Sequence, residues 1–454
     1  MIYMKNKLLN ISRKKLHKKF RHHLVSVLMD CDILVIGAGI LGLSSAYHLK
    51  KDNPRKRVVV VDRSGGPGQG NSAKSEGAFR NVFTSETNFL LADSTIDWFH
   101  CLQNSLGYDL KLAETGYLWL FSQEQYDRMT RVLDIISGRG AGLKTFEKDE
   151  LKRFIPDLTT DFRDDEESRL LGLEPVDKGV LGIKCGSIDA DALVRSYEHL
   201  FLELGGEVGY GTEVKKLNIT PERELGIPGE PFVWQNCHVS GARTDRGEIN
   251  AETTVLATGV WSENLLGPIG LDPLMKAKKR QIFVFKDPGL GGLLDVEGFN
   301  KYNALPLTVL PRAGVYLKAE LTEGSIWLGC ADNIGRDFKL EDDPQPEEDY
   351  YTNNIYHILV RYYPCFEDLR PVNMWAGQYA INGYDGIPVV ADYPGLIYVG
   401  AASGSGIMKC DALGRIVGAT HAGMEHAELY NGVKFRCSDL GIHKRNVDRE
   451  EFII

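Results

Sequence analysis

The chain has 454 residues, 43% of them hydrophobic and 25% charged, which is the balance of a soluble globular protein with room for two or three domains. Its net charge of −9 hides an asymmetry, because residues 1–28 hold eight Lys or Arg and no acid, leaving −17 on the remainder. An acidic body of this kind excludes a nucleic-acid surface as its main feature.

In chain order, the basic head MIYMKNKLLNISRKKLHKKFRHHLVSVL comes first. It has two readings: a mitochondrial-type transit peptide, or a disordered or mis-assigned extension ahead of a true start at Met29. It does not read as a signal anchor. The uncharged stretch 33–49 behind it is short, follows Asp30 and Asp32, and is interrupted by three glycines.

The stretch DILVIGAGILGLSSAYHLKKDNPRKRVVVVDR, residues 32–63, is the most informative in the sequence. Ile33 to Ile36 predict a strand, Gly37, Gly39 and Gly42 form G-x-G-x-x-G, Leu43 to Lys50 predict a helix, and Val58 to Val61 predict a second strand ending in Asp62. This is the order of a dinucleotide cradle. Gly37 permits the turn, Gly39 lets backbone N–H groups approach a pyrophosphate at the helix N-terminus, Gly42 lets helix and strand pack closely, and Asp62 accepts hydrogen bonds from ribose hydroxyls.

RSGGPGQGNSAKSEGAFRNVF, after Asp62, predicts a loop of small residues that lets a ligand approach the backbone. Helical patterns at Asn88 to Leu106 and Gln123 to Ile136, with a strand at Thr115 to Phe121, mark a second domain. The chain then returns to the first domain with a helix from Asp189 to Leu204 capped by Gly205, a short strand near Glu213 to Lys215, and a buried strand and turn at Thr253 to Gly259. Alternating strands at Gln281 to Phe285, Gly314 to Lys318 and Ser325 to Gly329 predict a sheet forming a wall over the cofactor. Gly395 to Gly406 repeats the opening logic: strand, glycine turn, then a helix from Met408 to about Ala422.

The eight cysteines show no C-x-x-C and no histidine at metal spacing, so no metal site is expected and they read as reduced packing residues of a cytoplasmic protein. The acidic runs Asp164 to Ser168 and Glu341 to Asp349 read as solvated faces.

Taken together, G37-A-G-I-L-G42, the loop through Arg80, G186-S-I-D-A190, A257-T-G-V-W-S262, W375-A-G, D385-G-I-P388 and A402-S-G-S-G-I407 resemble the D-amino-acid oxidase (DAO) family of FAD-dependent oxidoreductases, the group of glycine oxidase and sarcosine oxidase. The resemblance spans about Asp32 to Glu425. It implies an α/β fold: a Rossmann-like FAD-binding domain of the glutathione-reductase type with an inserted α+β substrate domain carrying a mixed or antiparallel sheet. The expected division is 30–86, 170–265 and 375–430 for the FAD-binding domain, 87–169 and 266–374 for the substrate domain, and 431–454 for a C-terminal tail.

The resemblance also implies FAD rather than NAD. Gly37, Gly39, Ile40, Leu41 and Gly42 would cradle it, and Asp62 and Arg63 would hold the adenosine ribose. Ser72, Ala73, Lys74, Ser75 and Gly77 would line the pyrophosphate and ribityl chain, and the Val214 backbone would touch adenine. Ala257, Gly259 and Trp261 would form a nearby turn, and Gly404, Ser405, Gly406, Ile407 and Met408 would face the flavin's pyrimidine end. Gln378 stands where some members carry a tethering cysteine, and the loop near residue 75 has no histidine, so noncovalent FAD is expected.

By the same resemblance, a hydride passes from the Cα of an amino acid or N-substituted amino acid to flavin N5, giving an imine. The protein then needs a cation to clamp the substrate carboxylate, and Arg80 is the first choice. Tyr316 and Lys318, two apart on one predicted strand, face one side of the wall, and Tyr379 is a further pocket candidate. Lys409 falls one residue after the position of the carboxylate-binding lysine of sarcosine oxidases, a turn of about 100° on a helix. The lysine linked to oxygen reactivity in those enzymes aligns with Trp327, so a quinone or carrier protein rivals oxygen as electron acceptor. No nucleic-acid partner and no transmembrane segment are expected. Alternatives are oxidation of a 2-hydroxy acid or glycerol phosphate, and a flavin-bearing assembly factor for a respiratory complex.

Overall fold

The computed structural model describes residues 30–163, 165–311, 314–331 and 336–452. The basic head and Asp164 of the first acidic run lie outside them. Among the described residues no helix is long and apolar enough to cross a membrane.

Two eight-stranded sheets organise the described residues. The first runs Val389–Tyr393, Leu396–Gly400, Gly247–Leu256, Asp30–Ile36, Val58–Asp62, Glu207–Tyr210, and the five strands from Leu396–Gly400 onward are parallel. Ile33 sits between Val58 on one side and Thr253 on the other. The all-apolar runs at Ile33–Ile36 and Val58–Val61 follow from this position, because a central parallel strand is buried on both faces. Val214–Pro221 and Cys237–Thr244 extend this sheet as antiparallel strands.

The first helix spans Ile40–Asp52, and helices Ala190–Glu203 and Cys410–His421 pack against it. A Cβ on Gly414 would collide with Ser44, so glycine sets the close approach of these helices, and Ser44 Oγ donates to Cys410 O at 2.7 Å across the contact. The buried Asp411 carboxylate accepts from Arg415 at 2.6 Å and pairs with His48 at 2.8 Å, which fixes the last helix on the first. Asp189 caps its helix through the Asp191 and Ala192 N–H groups, and Gly205 follows at φ +82°, as the sequence predicts.

The second sheet runs Asn373–Ile381, Lys276–Phe285, Ser325–Cys330, Val315–Glu320, Leu307–Val309, Tyr117–Phe121, Lys178–Gly182, Leu143–Glu147. One pair, Leu307–Val309 with Tyr117–Phe121, is parallel and the rest are antiparallel, so the sheet is mixed. Its apolar face covers a separate core containing Phe283, Phe285, Leu317, Leu328, Tyr351 and Phe366.

The expected division needs three corrections. Helix Glu86–Asn104, placed with the substrate domain, buries Leu91, Ile96, Phe99 and Leu102 in the core of the first sheet. Strands Lys178–Gly182 and Asn373–Ile381, placed wholly or mainly with the FAD-binding domain, pair in the second sheet. The C-terminal segment is no loose tail: Phe435, Cys437 and Leu440 join the first core, and Phe452 packs on Trp119 at 4.9 Å. The chain crosses between the sheets repeatedly, and an apolar strand pattern states burial without saying which sheet supplies the partner.

Candidate active site

A cavity of ≈ 820 Å³ lies between the two sheets. The first glycine motif opens into it. Gly37 turns at φ +108°, where a Cβ would lie 2.6 Å from Ala257 O, and a Cβ on Gly42 would collide with Gly37 O. Gly39 differs: its Cβ would meet only Ser72 Oγ, at 3.4 Å. Thus Gly37 and Gly42 serve the turn and the packing, whereas Gly39 leaves room beside the N-terminus of Ile40–Asp52. That helix has no side-chain cap from Gly39 and no acid in its first turn, and Ile40 N donates to Ser72 Oγ at 3.1 Å. An anion is the natural partner for such an end.

Asp62 receives Ala38 N on one oxygen and Ser64 N on the other, both at 2.7 Å, so the loop's backbone holds the carboxylate at the cavity rim. The Arg63 guanidinium lies 4.5 Å over the Trp261 ring, and Trp261 Nε1 donates to Asp342 at 3.1 Å. Asp342 also approaches Arg63 at 3.8 Å, and Asp343 approaches Lys74 at 3.7 Å. The acidic run at 341–349 is largely exposed, as a solvated face, with Asp342 and Asp343 at the rim of this end of the cavity, while Glu347 farther along pairs with Lys279 and Arg336.

Ser72, Lys74, Ser75, Val214, Ala257, Gly259 and Trp261 line the cavity, as do Ile40, Leu41, and Gly404 through Lys409. Gly42, Ala73 and Gly77 do not. Ala73 is exposed, and a Cβ on Gly77 would collide with Ile188 O, so its glycine serves packing. At the far turn, Ala401 and Ser403 adopt φ +53° and +48°. Non-glycine residues in this region mark backbone held in place by its surroundings.

The cavity's other wall comes from the second sheet and from the segment around Arg80. Phe79 is fully buried in the core, whereas Ala78 and Arg80 on either side of it line the cavity, as strand alternation requires, and Glu76 joins them from beyond the turn at Gly77. Arg80 donates to Val82 O at 2.5 Å and Phe452 O at 3.1 Å, and lies 4.3 Å over the Phe83 ring. Burial lowers its pKa. Lys409, 1% exposed, donates to Asn88 Oδ1 at 2.5 Å and Ser405 Oγ at 2.6 Å. Burial brings its pKa down to about 7, with Glu450 opposing the shift and Arg80 adding to it.

Tyr316 and Tyr379 both line the cavity. Glycines make their room: a Cβ on Gly329 would enter the Tyr316 ring, and one on Gly404 would enter the Tyr379 ring. Lys318 corrects an expectation. It shares a face with Tyr316, yet it does not line the cavity; its ammonium donates to Glu76 O at 2.8 Å, pairs with Glu320 at 3.1 Å and lies 4.3 Å over Trp327. Gln378, at the tether position, donates to Lys339 O at 2.8 Å, and the described cavity lining includes no cysteine or histidine.

Sequence reasoning missed Glu76, Tyr117, Asn88 and Glu450. Glu76 lies beyond the positive-φ turn at Gly77, so strand alternation from Arg80 does not reach it. Glu450 carried no local signal: it accepts from Thr84 N, Thr84 Oγ1, Ser85 N and Asn88 Nδ2 across more than 360 residues. Among the described residues no group of His, Cys, Asp and Glu could hold a metal.

A nucleotide cradle on a parallel sheet, opening into a cavity walled by a second sheet, defines a dinucleotide-dependent oxidoreductase. The open space at Gly39 and the helix end without an acid in its first turn fit a pyrophosphate, and the cavity continues from there to the Tyr316 wall. Residues 32–420 match the DAO family, FAD dependent oxidoreductase, and the chain belongs to it. It is 24% identical over 418 residues to FAD-dependent oxidoreductase domain-containing protein 1 of Xenopus laevis, covering 85% of this chain and 78% of that protein. It is 25% identical over 401 residues to D-amino acid dehydrogenase 2 of Ralstonia nicotianae, covering 80% and 89%. The fold resembles that of L-proline dehydrogenase from P. horikoshii, with a TM-score of 0.69 at 21% identity over 87% of this chain and 94% of that one. The cofactor is accordingly FAD, and the protein is an FAD-dependent oxidoreductase.

Proposed function

We propose that the protein oxidises a small amino acid or N-substituted amino acid at Cα, giving an imine, with electrons passing on to a quinone, a carrier protein or oxygen. Bound FAD supplies a two-electron acceptor at flavin N5. One observation carries the reading: two buried cations, Arg80 and Lys409, line the cavity, and neither pairs with a carboxylate among the described residues. Glu450, the acid nearest in effect to both, is occupied by backbone and amide donors. A substrate carboxylate fills this vacancy of charge.

Arg80 spends two N–H groups on carbonyls, which fixes the guanidinium and leaves three of its five donors for the substrate. Lys409 adds a charge that is present below about pH 7. Tyr316 and Tyr379 are held neutral by burial and offer hydroxyls without competing charge. Gly39, the Ile40–Asp52 helix end, Asp62, Arg63 and Ser72 bind the adenosine and pyrophosphate half, and Gly404 to Met408 bind the other end. The glutamine at 378 favours noncovalent binding.

The test compares an amino acid with its carboxamide in wild type and in Arg80→Met. The reading expects the acid alone to reduce the wild-type flavin efficiently, and Arg80→Met to lose at least about tenfold in kcat/KM for the acid. Equal use of acid and carboxamide would overturn it.

A further inference from the structure

Glu76 is the carboxylate of the cavity wall that the carboxylate-binding cations leave unexplained. Its Oε1 accepts from Tyr316 OH at 2.9 Å, while Oε2 is sealed from solvent and has no hydrogen-bond partner. A buried carboxylate oxygen without a donor is unfavourable, so its position is understood only with a group that donates to it.

The surroundings define that group. Lys318 donates to Glu76's backbone oxygen rather than its carboxylate, and is itself paired with Glu320. Tyr316 and Tyr379 face Glu76 from two strands of the second sheet, with Arg280 lying 5.6 Å over the Tyr379 ring. Tyr117 stands on a third strand and senses both Glu76 and Arg80. All three phenols are pushed upward by burial and stay neutral at ordinary pH. Thus one cavity presents cations at Arg80 and Lys409 and, at Glu76, a carboxylate with one oxygen lacking a donor, the complement of a zwitterion.

We infer that Glu76 binds the substrate's amino nitrogen and takes a proton from its ammonium form, so that the amine is neutral at the moment of oxidation. In that step one N–H bond breaks, its electron pair stays on nitrogen, and an O–H bond forms on the carboxylate. Burial raises the carboxyl's pKa, which brings it closer to that of an ammonium and makes the transfer less uphill. The inference rests on the amino-acid reading above, since a hydroxy acid has no ammonium to pair.

The test uses flavin-loaded protein and ligands that lack a Cα–H and so are not oxidised: 2-aminoisobutyrate, pivalate, in which a methyl replaces the amine, and 2-hydroxyisobutyrate. Binding is read from the flavin absorbance near 450 nm. Wild type is expected to prefer the amine, and Glu76→Gln is expected to weaken it by about tenfold or more while binding pivalate within about twofold of wild type. The amine preference is present where the carboxyl is ionised and is lost as pH falls through its raised pKa. If Glu76→Gln does not retain flavin, Tyr316→Phe serves instead: removing the donor should move that loss to higher pH. An unchanged amine preference in Glu76→Gln, or an unmoved pH dependence in Tyr316→Phe, overturns the role of Glu76 and leaves the amino-acid reading standing. A wild type that binds 2-hydroxyisobutyrate or pivalate as tightly as the amine overturns both.

Discussion

The Tyr379 ring occupies the space that a Cβ on Gly404 would enter, so a glycine of the cofactor-facing turn sets the position of an aromatic residue on the substrate wall. Gly404 also turns at φ +82°. Gly404→Ala therefore meets backbone strain and a collision together and should cost about 1–3 kcal/mol. Thermal unfolding should show the loss, with flavin released at lower temperature than from wild type.

Gly39→Ala and Gly42→Ala should separate ligand space from packing. The first adds a methyl that meets only Ser72 Oγ, so the protein should fold normally and bind FAD more weakly. The second drives a methyl into Gly37 O and should destabilise the apoprotein as well. Flavin titration of both apoproteins beside denaturant unfolding checks the contrast.

Lys409 should give the site a pH dependence near 7. Its folded pKa of about 7 lies below the ordinary lysine value, so the folded state binds fewer protons than the unfolded chain between those two values. Stability contributed by this site is therefore lowest below pH 7 and rises with pH toward the ordinary value. Lys409→Met should remove this slope, on the order of a few kcal/mol across the interval. Carboxylate binding runs the other way, weakening as pH rises through about 7 in wild type and varying less in the variant. Ligand titrations and melting curves from pH 6 to 9 read both.

Glu450→Ala leaves Thr84 N, Ser85 N and Asn88 Nδ2 without their acceptor in a buried setting. A loss of about 2–4 kcal/mol is expected, measured by urea unfolding. The pKa of Lys409 should fall further, because Glu450 opposes the effect of burial.

The cofactor half was legible because its chemistry needs residues close in sequence. A turn, a helix start and a strand end place Gly37, Gly39, Gly42 and Asp62 within one unit, and the turn at Gly404 repeats the pattern. The substrate half brings Glu76, Tyr117, Tyr316, Tyr379 and Glu450 from separate segments, so periodicity gave faces without partners. Tyr316 and Lys318 show the limit: alternation rightly put them on one face, yet one lines the cavity while the other grips the backbone behind it. The acidic run at 341–349 is solvated as its charge pattern predicts, with the Asp342 and Asp343 side chains 80% exposed, but its reach toward Arg63 and Lys74 could not be read, since those cations lie more than 260 residues away.

Anaerobic mixing of the flavin-loaded protein with D- and L-amino acids, sarcosine, glycine, 2-hydroxy acids and glycerol 3-phosphate, followed near 450 nm, tests the central claim most directly. Rapid bleaching by an amino acid or N-substituted amino acid is predicted, and admitting air afterwards distinguishes oxygen from another electron acceptor. Bleaching by 2-hydroxy acids or glycerol 3-phosphate alone, or by no member of the set, would contradict it.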